Sequence, residues 1–191
     1  MNETSPEPRV LIVDDDAEVA DVYALRLRDD YDTETAYGGE EALEEVDESV
    51  DVVLLDRRMP EVSGDDVLSA IRDRGLDTRV IMITAVDPDF DIVDMPFDDY
   101  LCKPVQKGDL VAAIDQQLTA TRYDERLTEY LEVTSKIALL EAEKTEPELD
   151  ASDDVADLRE RAERLREEID EALAEFHDFE AAFNEISRHA E

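Results

Sequence analysis

An aliphatic run that leads into a single carboxylate is the feature of this sequence with the clearest chemical meaning. Val52 to Leu55 favour a strand, Asp56 follows directly, and Pro60 prevents the strand from continuing. In an open α/β sheet, ligands bind at the carboxyl ends of the strands. Asp56 is therefore a candidate site residue, and the ends of other strands are expected to supply its partners.

Three more apolar runs end in side chains that suit metal or phosphate chemistry. Right-handed crossovers place the ends of parallel strands along one edge of a sheet, so such side chains share one pocket. Three carboxylates in one pocket repel each other unless a cation neutralises them, and their hard oxygen atoms suit Mg²⁺. The sequence therefore predicts a magnesium site that includes Asp56. The runs are 9–13, followed by Asp14 and Asp15, then 79–84, ending on Thr84, and 99–102, followed by Lys103.

Helical patterns separate the predicted strands. Val19, Val22, Tyr23 and Leu27 have the spacing of one face of an amphipathic helix. Strands that alternate with helices over residues 9–120 indicate an α/β fold, with a parallel sheet covered on both faces. The remaining patterns predict a strand at 33–37, helices near 42–46 and 67–71, and a helix from about 108.

The chain changes character after Leu118, where strand patterns stop and charged residues dominate. Neither Gly nor Pro occurs between Gly108 and Pro147, which predicts one long helix or two helices joined by a kink near 119–122. Residues 145–151 are predicted as a loop. A further helix after this loop would complete an antiparallel hairpin.

The second helix of the tail is predicted to begin after Ser152, which serves as its N-cap. Its apolar residues alternate spacings of three and four, which is the pattern of a coiled-coil seam. Such a seam pairs within a hairpin or with another chain, so the tail is predicted to be an interaction module or a dimeriser. Arginines and glutamates interleaved over 159–168 predict ion pairs rather than a nucleic-acid patch. The seam residues are Val155, Leu158, Ala162, Leu165, Ile169, Ala172, Phe176, Phe179, Phe183, Ile186 and Ala190.

The composition is strongly acidic, with 55 acidic against 19 basic residues and a formal charge of −36. Hydrophobic residues still make up 42% of the chain and occur in periodic runs, so the chain is expected to fold. Acid spread over every segment is typical of proteins from organisms with molar internal salt, which screens the repulsion. The same charge disfavours nucleic-acid binding, because that binding relies on Lys and Arg.

The sequence also bears on the compartment. A single cysteine, Cys102, excludes an internal disulfide and a multi-cysteine zinc site. Residues 1–8 are polar and hold two prolines, unlike a signal peptide. No apolar run approaches the roughly 20 residues of a membrane span. A cytoplasmic protein that does not enter a membrane is therefore expected.

Four motifs, in this order and at these separations, resemble the receiver domain of two-component response regulators. Each motif alone is common, and the specificity lies in their combination over residues 9–120. The resemblance implies a flavodoxin-like sheet of five parallel strands. The helical hairpin or coiled coil predicted from the tail pattern follows this sheet. The motifs are Val-Asp14-Asp15, Leu-Leu-Asp56-x-x-Met59-Pro60-x-x-Ser-Gly64, Ile-Thr84-Ala85 and Lys103-Pro104.

The resemblance implies that Asp56 accepts a phosphoryl group from a sensor histidine kinase. It also implies that Asp15, Asp56 and the main-chain carbonyl of Arg58 bind Mg²⁺, with Asp14 contributing directly or through water. The physical chemistry agrees, because a carboxylate is a competent nucleophile for in-line phosphoryl transfer when cations neutralise the phosphoryl oxygens.

Three further roles follow from the same resemblance. Thr84 and Lys103 are expected to hold phosphoryl oxygens, and Thr84 also belongs to the switch. Tyr100 matches the aromatic position that rotates with that switch. The protein is not expected to be an enzyme, apart from catalysing its own phosphorylation and dephosphorylation.

Two departures from the family pattern stand out. Residues 86–97 are short and hold two prolines where the family has its fourth helix, so that helix is predicted to be truncated or absent. This puts the family's usual dimer face, on helix four, strand five and helix five, in doubt. Arg58 is placed to pair with phosphate or to obstruct a hydrolytic water; otherwise it is a solvated loop residue.

The tail, residues 122–191, resembles the HalX domain found behind receivers in halophilic archaea. The resemblance rests on its length, its acidity and the Tyr- and Leu-rich first helix, and it names no output. The predicted domains are thus a receiver over 9–120 and a HalX-like helical domain over 122–191. Self-association through the tail is one expected consequence.

Alternative functions follow from parts of the sequence. The tail would make the protein a transcriptional regulator if it bound DNA. A magnesium-dependent phosphatase of the haloacid dehalogenase type would use Asp56 as nucleophile, but it needs a second acid where Arg58 stands. A purely structural coiled-coil protein would not need the acids at the strand ends.

Overall fold

The computed structural model describes residues 6–86 and 88–183, in which the chain forms two units. The first unit ends at Leu118, and the second covers Thr119–Phe183. In the part of the chain described, no helix has both the length and the apolar composition needed to cross a membrane.

The aliphatic runs form the strands of one five-stranded sheet in the first unit. Every neighbouring pair of strands is parallel, and the order across the sheet is β2-β1-β3-β4-β5. This is the strand order of flavodoxin-like folds, with a switch point between β1 and β3. The strands are β1 (Arg9–Val13), β2 (Asp32–Ala36), β3 (Val52–Leu55), β4 (Arg79–Thr84) and β5 (Asp99–Cys102).

Helices cover both faces of the sheet, because alternate residues of each strand point to opposite sides. Helix α1 (Ala17–Leu27) and the start of α4 (Lys107–Glu143) pack with Ile12 and Leu54 on one face. Helices α2 (Gly39–Glu45) and α3 (Gly64–Asp73) lie on the other face. The core residues of that second face include Leu11, Val13, Ala42, Val53, Leu55, Val67, Leu68, Ile71, Val80 and Met82. The predicted α/β fold is confirmed.

The segment between β4 and β5 carries a short 3-10 helix, Phe90–Asp94, where the resemblance placed a fourth α-helix. Its side chains are poorly covered, with Phe90 91% and Val93 73% exposed. Two prolines in so short a connection leave no room for an uninterrupted α-helical ladder. The prediction of a truncated or absent helix is confirmed.

The second unit is an antiparallel pair of helices, formed by the later part of α4 and by α6 (Asp153–Phe183). Four ion pairs join the two helices. Along these pairs the residue numbers rise in α4 and fall in α6, which shows that the helices are antiparallel. Val133 and Leu149 are buried in this unit with residues of α6. The ion pairs are Arg122–Glu175 at 3.7 Å, Arg126–Glu168 at 2.6 Å, Arg159–Glu141 at 3.2 Å, and Arg161–Glu129.

The predicted seam packs as expected over its first half. Val155, Leu165 and Ile169 are buried, and Leu158, Ala162 and Ala172 are half-buried. The arginines over 159–168 that pair across the hairpin do so with glutamates of α4, which agrees with the ion-pair interpretation. The side chains of the remaining seam residues, Phe176, Phe179, Phe183, Ile186 and Ala190, lie outside the described part of the chain.

Two details of the tail refine the sequence predictions. Of the two alternatives for the first tail helix, the structure shows one helix, Lys107–Glu143. The predicted loop at 145–151 is wrong over Glu146–Asp150, which forms the short helix α5. Glu148 accepts a hydrogen bond from the backbone N–H of Thr145 at 2.9 Å, and Pro147 stands in the first turn, where no N–H is needed. Ser152 caps α6 as predicted, accepting from the N–H of Val155.

Candidate functional site

The register of the sheet brings the acidic strand ends together. Val13 of β1 pairs with Leu55 of β3, so Asp14 and Asp56 leave adjacent strands at the same level. The backbone N–H of Asp56 donates to the carbonyl of Val13 at 2.9 Å and fixes this alignment. Asp14 and Asp56 are both buried, with 3% and 7% of their surface exposed.

A third carboxylate, that of Asp15, completes a cluster at this edge. Asp14, Asp15 and Asp56 each present an oxygen atom, and these atoms lie within 4.8 Å of one another. Asp15 is exposed, so the cluster opens to solvent on its side. Three oxygen ligands at this separation, two of them buried, suit a hard divalent cation whose other positions are taken by water or substrate.

Lys103 lies close to both buried carboxylates, those of Asp14 and Asp56. Its Nζ atom is 2.5 Å from Asp14 Oδ2 and 3.7 Å from Asp56 Oδ1. The backbone N–H of Lys103 donates to the carbonyl of Thr84 at 2.9 Å, which ties the end of β5 to that of β4. Burial lowers the pKa of Lys103, but the hydrogen bond to Asp14 and the charge of Asp56 raise it more, so Lys103 stays a cation.

The environment of Asp56 disfavours its charge. Burial raises the pKa of its carboxyl above the ordinary value, and the charge of Asp14 adds to this effect. Lys103 and a hydrogen bond from the hydroxyl of Thr84 offset only part of the increase. A cation bound between Asp15 and Asp56 would stabilise the ionised form of Asp56 and so lower the pKa of its carboxyl again.

Thr84 and Tyr100 are joined through the loop that follows β4. Thr84 is 1% exposed, and its Oγ1 atom accepts a hydrogen bond from the N–H of Val86 at 3.3 Å. The hydroxyl of Tyr100 donates to the carbonyl of Val86 at 2.7 Å. The Tyr100 ring also packs against Phe97, with the ring centroids 5.6 Å apart. Tyr100 therefore points inward in this structure.

The loop after Asp56 is fixed by a close approach to α3. The N–H of Gly64 donates to the carbonyl of Arg57 at 2.9 Å. A Cβ atom on Gly64 would lie 2.2 Å from the carbonyl oxygen of Asp56, so the residue at this position must be glycine. Ser63 caps α3 and forms a reciprocal capping box with Asp66. Together these contacts position the backbone on the carboxyl side of Asp56.

Two arginines follow Asp56 and differ in their environment. Arg58, whose main-chain carbonyl was expected to bind the metal, has an exposed side chain that lines a groove with Pro60 and Val86. Arg57 has only 11% of its side chain exposed and forms ion pairs with Asp65 and Asp91. Sequence reasoning missed Arg57. Its only signal was a cation directly after the candidate phosphoacceptor, with nothing in the sequence to indicate its partners.

The structure thus brings most of the predicted site residues to one edge of the sheet. Asp14, Asp15, Asp56, Thr84 and Lys103 are connected by the contacts described above. Tyr100 is linked to this group through the β4 loop, and Arg58 stands beside it on the loop after β3.

Comparison with known proteins assigns families to both units. Residues 10–115 match the response regulator receiver domain, and residues 119–183 match the HalX domain. A provisionally named transcriptional regulator from Haloferax volcanii is 48% identical over 175 residues, which cover 88% of this chain and 30% of that protein. The transcriptional regulatory protein CpxR from Escherichia coli is 37% identical over 122 residues, which cover 62% of this chain and 52% of that protein.

Solved structures agree with these matches at the level of the fold. A response regulator receiver domain protein from Clostridium thermocellum superposes with a TM-score of 0.55 at 28% identity, covering 60% of this chain and 96% of the other. The chain spans 30% and 52% of the length of the two curated relatives above. Because the receiver match covers more than half of the sequence and falls on the sheet whose strand ends carry the acidic cluster, the chain belongs to the response regulator receiver family, with a HalX domain behind its receiver.

Proposed function

We propose that this protein is the response regulator of a two-component system and that Asp56 accepts the phosphoryl group from a sensor histidine kinase. The observation that carries the proposal is the meeting of Asp14, Asp15 and Asp56 with Lys103 at the strand ends. The three acids would hold Mg²⁺, together with the main-chain carbonyl of Arg58. When bound, Mg²⁺ supplies positive charge to the phosphoryl oxygens.

The chain's own residues account for the rest of the reaction. A carboxylate oxygen of Asp56 forms a bond to phosphorus while the bond from phosphorus to the donor breaks, and the donor leaves with its electron pair. Lys103 lies within 3.7 Å of Asp56 and provides a fixed cation for one phosphoryl oxygen. The hydroxyl of Thr84 lies close enough to Asp56 to lower the pKa of its carboxyl, and it is placed to donate to another phosphoryl oxygen.

The transfer is a self-catalysed modification and not the turnover of an enzyme. The haloacid dehalogenase alternative needs a second acid two residues after the nucleophile, and Arg58 stands there with an exposed side chain. Movement of Thr84 toward a phosphoryl group would also move Val86, because the N–H of Val86 donates to Thr84. The carbonyl of Val86 accepts from Tyr100, so the same movement would change the contact that holds Tyr100. This gives the pair Thr84 and Tyr100 a role as the switch.

The proposed output is protein binding by the tail, including self-association, in the cytoplasm. Two observations favour a protein partner over DNA. The arginines of α6 that pair across the hairpin are engaged by glutamates of α4, and the whole chain carries a charge of −36. Leu131 and Leu139 of α4 are 56% and 68% exposed and offer apolar contact area. DNA binding is the second candidate, because the curated relatives are named as transcriptional regulators.

Labelling with acetyl phosphate and Mg²⁺ in molar KCl, followed by intact mass measurement, tests the phosphoacceptor. We expect one phosphoryl group on the wild type and none on Asp56→Asn, because no other carboxylate in the site is flanked by Lys103 and Thr84 in this way. Asp15→Asn should label at least about tenfold more slowly and bind Mg²⁺ more weakly. Asp29→Asn, an exposed change of equal charge, serves as the control.

Each result of this experiment has a distinct meaning. Label retained on Asp56→Asn contradicts the assignment of the phosphoacceptor. Rapid release of inorganic phosphate over many turnovers, with no label accumulating on the protein, would support the phosphatase alternative. A wild type that takes no label would leave only the structural role of the tail.

A further inference from the structure

The segment between β4 and β5 needs a support other than packing. The 3-10 helix leaves Phe90 and Val93 exposed. Among the described hydrophobic residues of the segment, Ile92, Met95 and Phe97 pack partly against the core. Such limited burial contributes little to holding the loop in one position.

Arginine side chains hold this segment at two places, and Arg79 of β4 also pairs with Asp98 at 3.3 Å. Arg72 of α3 donates from Nε to the carbonyl of Pro96 at 3.0 Å and pairs with Asp98 at 2.8 Å. Arg57 pairs with Asp91 inside the 3-10 helix. This ion pair holds the segment at a point closer in sequence to the β4 loop than the contacts of Arg72 do. The first contact fixes the end that leads into β5, and the second fixes the part that follows Thr84.

Arg57 is itself rigidly placed. Its backbone is held by the hydrogen bond from Gly64, and its guanidinium lies 3.1 Å from Asp65 of α3 through Nε. The hydrogen bonds to Asp91 and Asp65 raise its pKa, although burial opposes this, so it stays charged at any pH at which the protein is folded. The partly buried guanidinium makes a bidentate contact with Asp65 while it also pairs with Asp91, an arrangement that Lys cannot reproduce.

The same guanidinium lines one groove with Val86, the residue whose carbonyl accepts a hydrogen bond from Tyr100. Burial raises the pKa of the Tyr100 hydroxyl, and the nearby positive charge of Arg57 opposes this increase. Tyr100 in turn holds the carbonyl of Val86, and the N–H of Val86 holds Thr84. Arg57 thus pairs with Asp91 and stands beside Val86, and Val86 is hydrogen-bonded both to Tyr100 and to the hydroxyl oxygen of Thr84.

From these contacts we infer that Arg57 is a positioning residue for phosphorylation: it fixes Asp91 beside Val86 and thereby holds the β4 loop, with Tyr100 and Thr84, in place. Arg57 acts through Thr84 and does not itself contact the phosphoryl donor. The inference rests on the proposed phosphorylation of Asp56.

The experiment compares the rate of labelling by acetyl phosphate, at saturating Mg²⁺ in molar KCl, among full-length variants. We expect Arg57→Gln and Asp91→Asn each to lower the maximal rate by about fivefold or more. The half-saturating concentration of acetyl phosphate should stay the same, because neither residue contacts the donor. Arg28→Gln, which removes an exposed arginine from the end of α1, is the charge-matched control.

The double variant Arg57→Gln/Asp91→Asn distinguishes a shared contact from two separate defects. If both residues act through their ion pair, the double variant labels no more slowly than the slower single variant. Labelling of both single variants at the rate of the Arg28→Gln control overturns the inference, and so does a double variant whose loss is the product of the two single losses. Should Arg57→Gln fail to fold, Asp91→Asn decides the question, because Asp91 is 54% exposed.

A second readout does not depend on labelling. With tyrosine ring carbons labelled for NMR, and the Tyr100 signal assigned through Tyr100→Phe, the signal should shift in Arg57→Gln and Asp91→Asn but not in Arg28→Gln. An unchanged Tyr100 signal overturns the inference even in a protein that takes no label. A wild type without label, but with the expected shift, contradicts the proposed function and supports only the structural part of the inference, that Arg57 positions Tyr100 and the β4 loop.

Discussion

Asp56 illustrates at the residue scale how the proposed site works against the stability of the fold. Burial and the nearby charge of Asp14 raise the pKa of its carboxyl from an ordinary value of 3.8. The folded state therefore binds this proton more tightly than the unfolded chain does. The stability that protonation contributes is fully present below the ordinary pKa and is lost as the pH rises through the raised value. At neutral pH, the ionised Asp56 destabilises the metal-free fold.

We expect Asp56→Asn to raise the midpoint of thermal unfolding by a few degrees at neutral pH, in EDTA and molar KCl. The gain should shrink as the pH falls toward the ordinary carboxyl value of 3.8, because wild-type Asp56 takes up its proton over that range, and also when Mg²⁺ neutralises the cluster. Circular dichroism at the two pH values, with and without Mg²⁺, measures this. An equal gain for Asp29→Asn would show a general relief of negative charge and contradict the explanation.

At the same scale, the sequence identified the residues of the site by type but not all of their contacts. Asp56, Thr84 and Lys103 could be found because strand ends are marked by short apolar runs, and parallel strands share one edge. Arg57 could not, because its partners Asp65 and Asp91 come from a helix start and from a segment without periodicity. Ion pairs between remote residues leave no spacing in the sequence, so only the folded chain shows them.

At the scale of elements, the turn between β3 and α3 depends on Gly64. We expect Gly64→Ala to destabilise the protein by about 2 kcal/mol or more, because the added Cβ would meet the carbonyl oxygen of Asp56 at 2.2 Å. Denaturant unfolding in molar KCl provides the measurement. Labelling of Asp56 should fall as well, because the backbone that presents its carboxylate must move.

Gly108→Ala is the matched control for this substitution. A Cβ on Gly108, in the first turn of α4, meets nothing within 4 Å, so the change should be neutral or slightly stabilising. If Gly64→Ala and Gly108→Ala lowered the free energy of unfolding by similar amounts, the close approach of Gly64 to the loop after β3 would not be the cause of the destabilisation.

The elements also show where periodicity is informative. Amphipathic patterns predicted α1, α3 and α6, since each buries one face over several turns. The absence of Gly and Pro predicted the long helix α4. Helix α5 was missed because five residues cannot show a period, and Pro147 suggested a loop. Its signal was local: Thr145 followed three residues later by Glu148, the spacing of a capping box.

The acidic charge is a property of the whole molecule. Acidic residues outnumber basic ones by 55 to 19, which leaves a net charge of −36 that the ion pairs of the hairpin and of the first unit do not neutralise. We expect the midpoint of thermal unfolding to rise between about 0.1 M and 1 M KCl, as the Debye length falls from about 10 Å to about 3 Å. A scan at each salt concentration, with sucrose of matched osmolarity as the uncharged control, measures this. A midpoint that rises equally in sucrose would contradict screening as the cause.

The strand order has a consequence for protein synthesis. The site takes side chains from four strand ends, and the last of them, Lys103, follows β5, which is added to the outer edge of the sheet beside β4. At about 5–20 residues per second, a ribosome finishes Asp56 seconds before it finishes Lys103. During that interval the nascent chain carries the proposed acceptor carboxylate without Lys103, so under the proposed function a kinase would meet no competent substrate. Signalling capacity therefore arises late in translation, when much of the receiver has already emerged and only chains that have completed the sheet can respond.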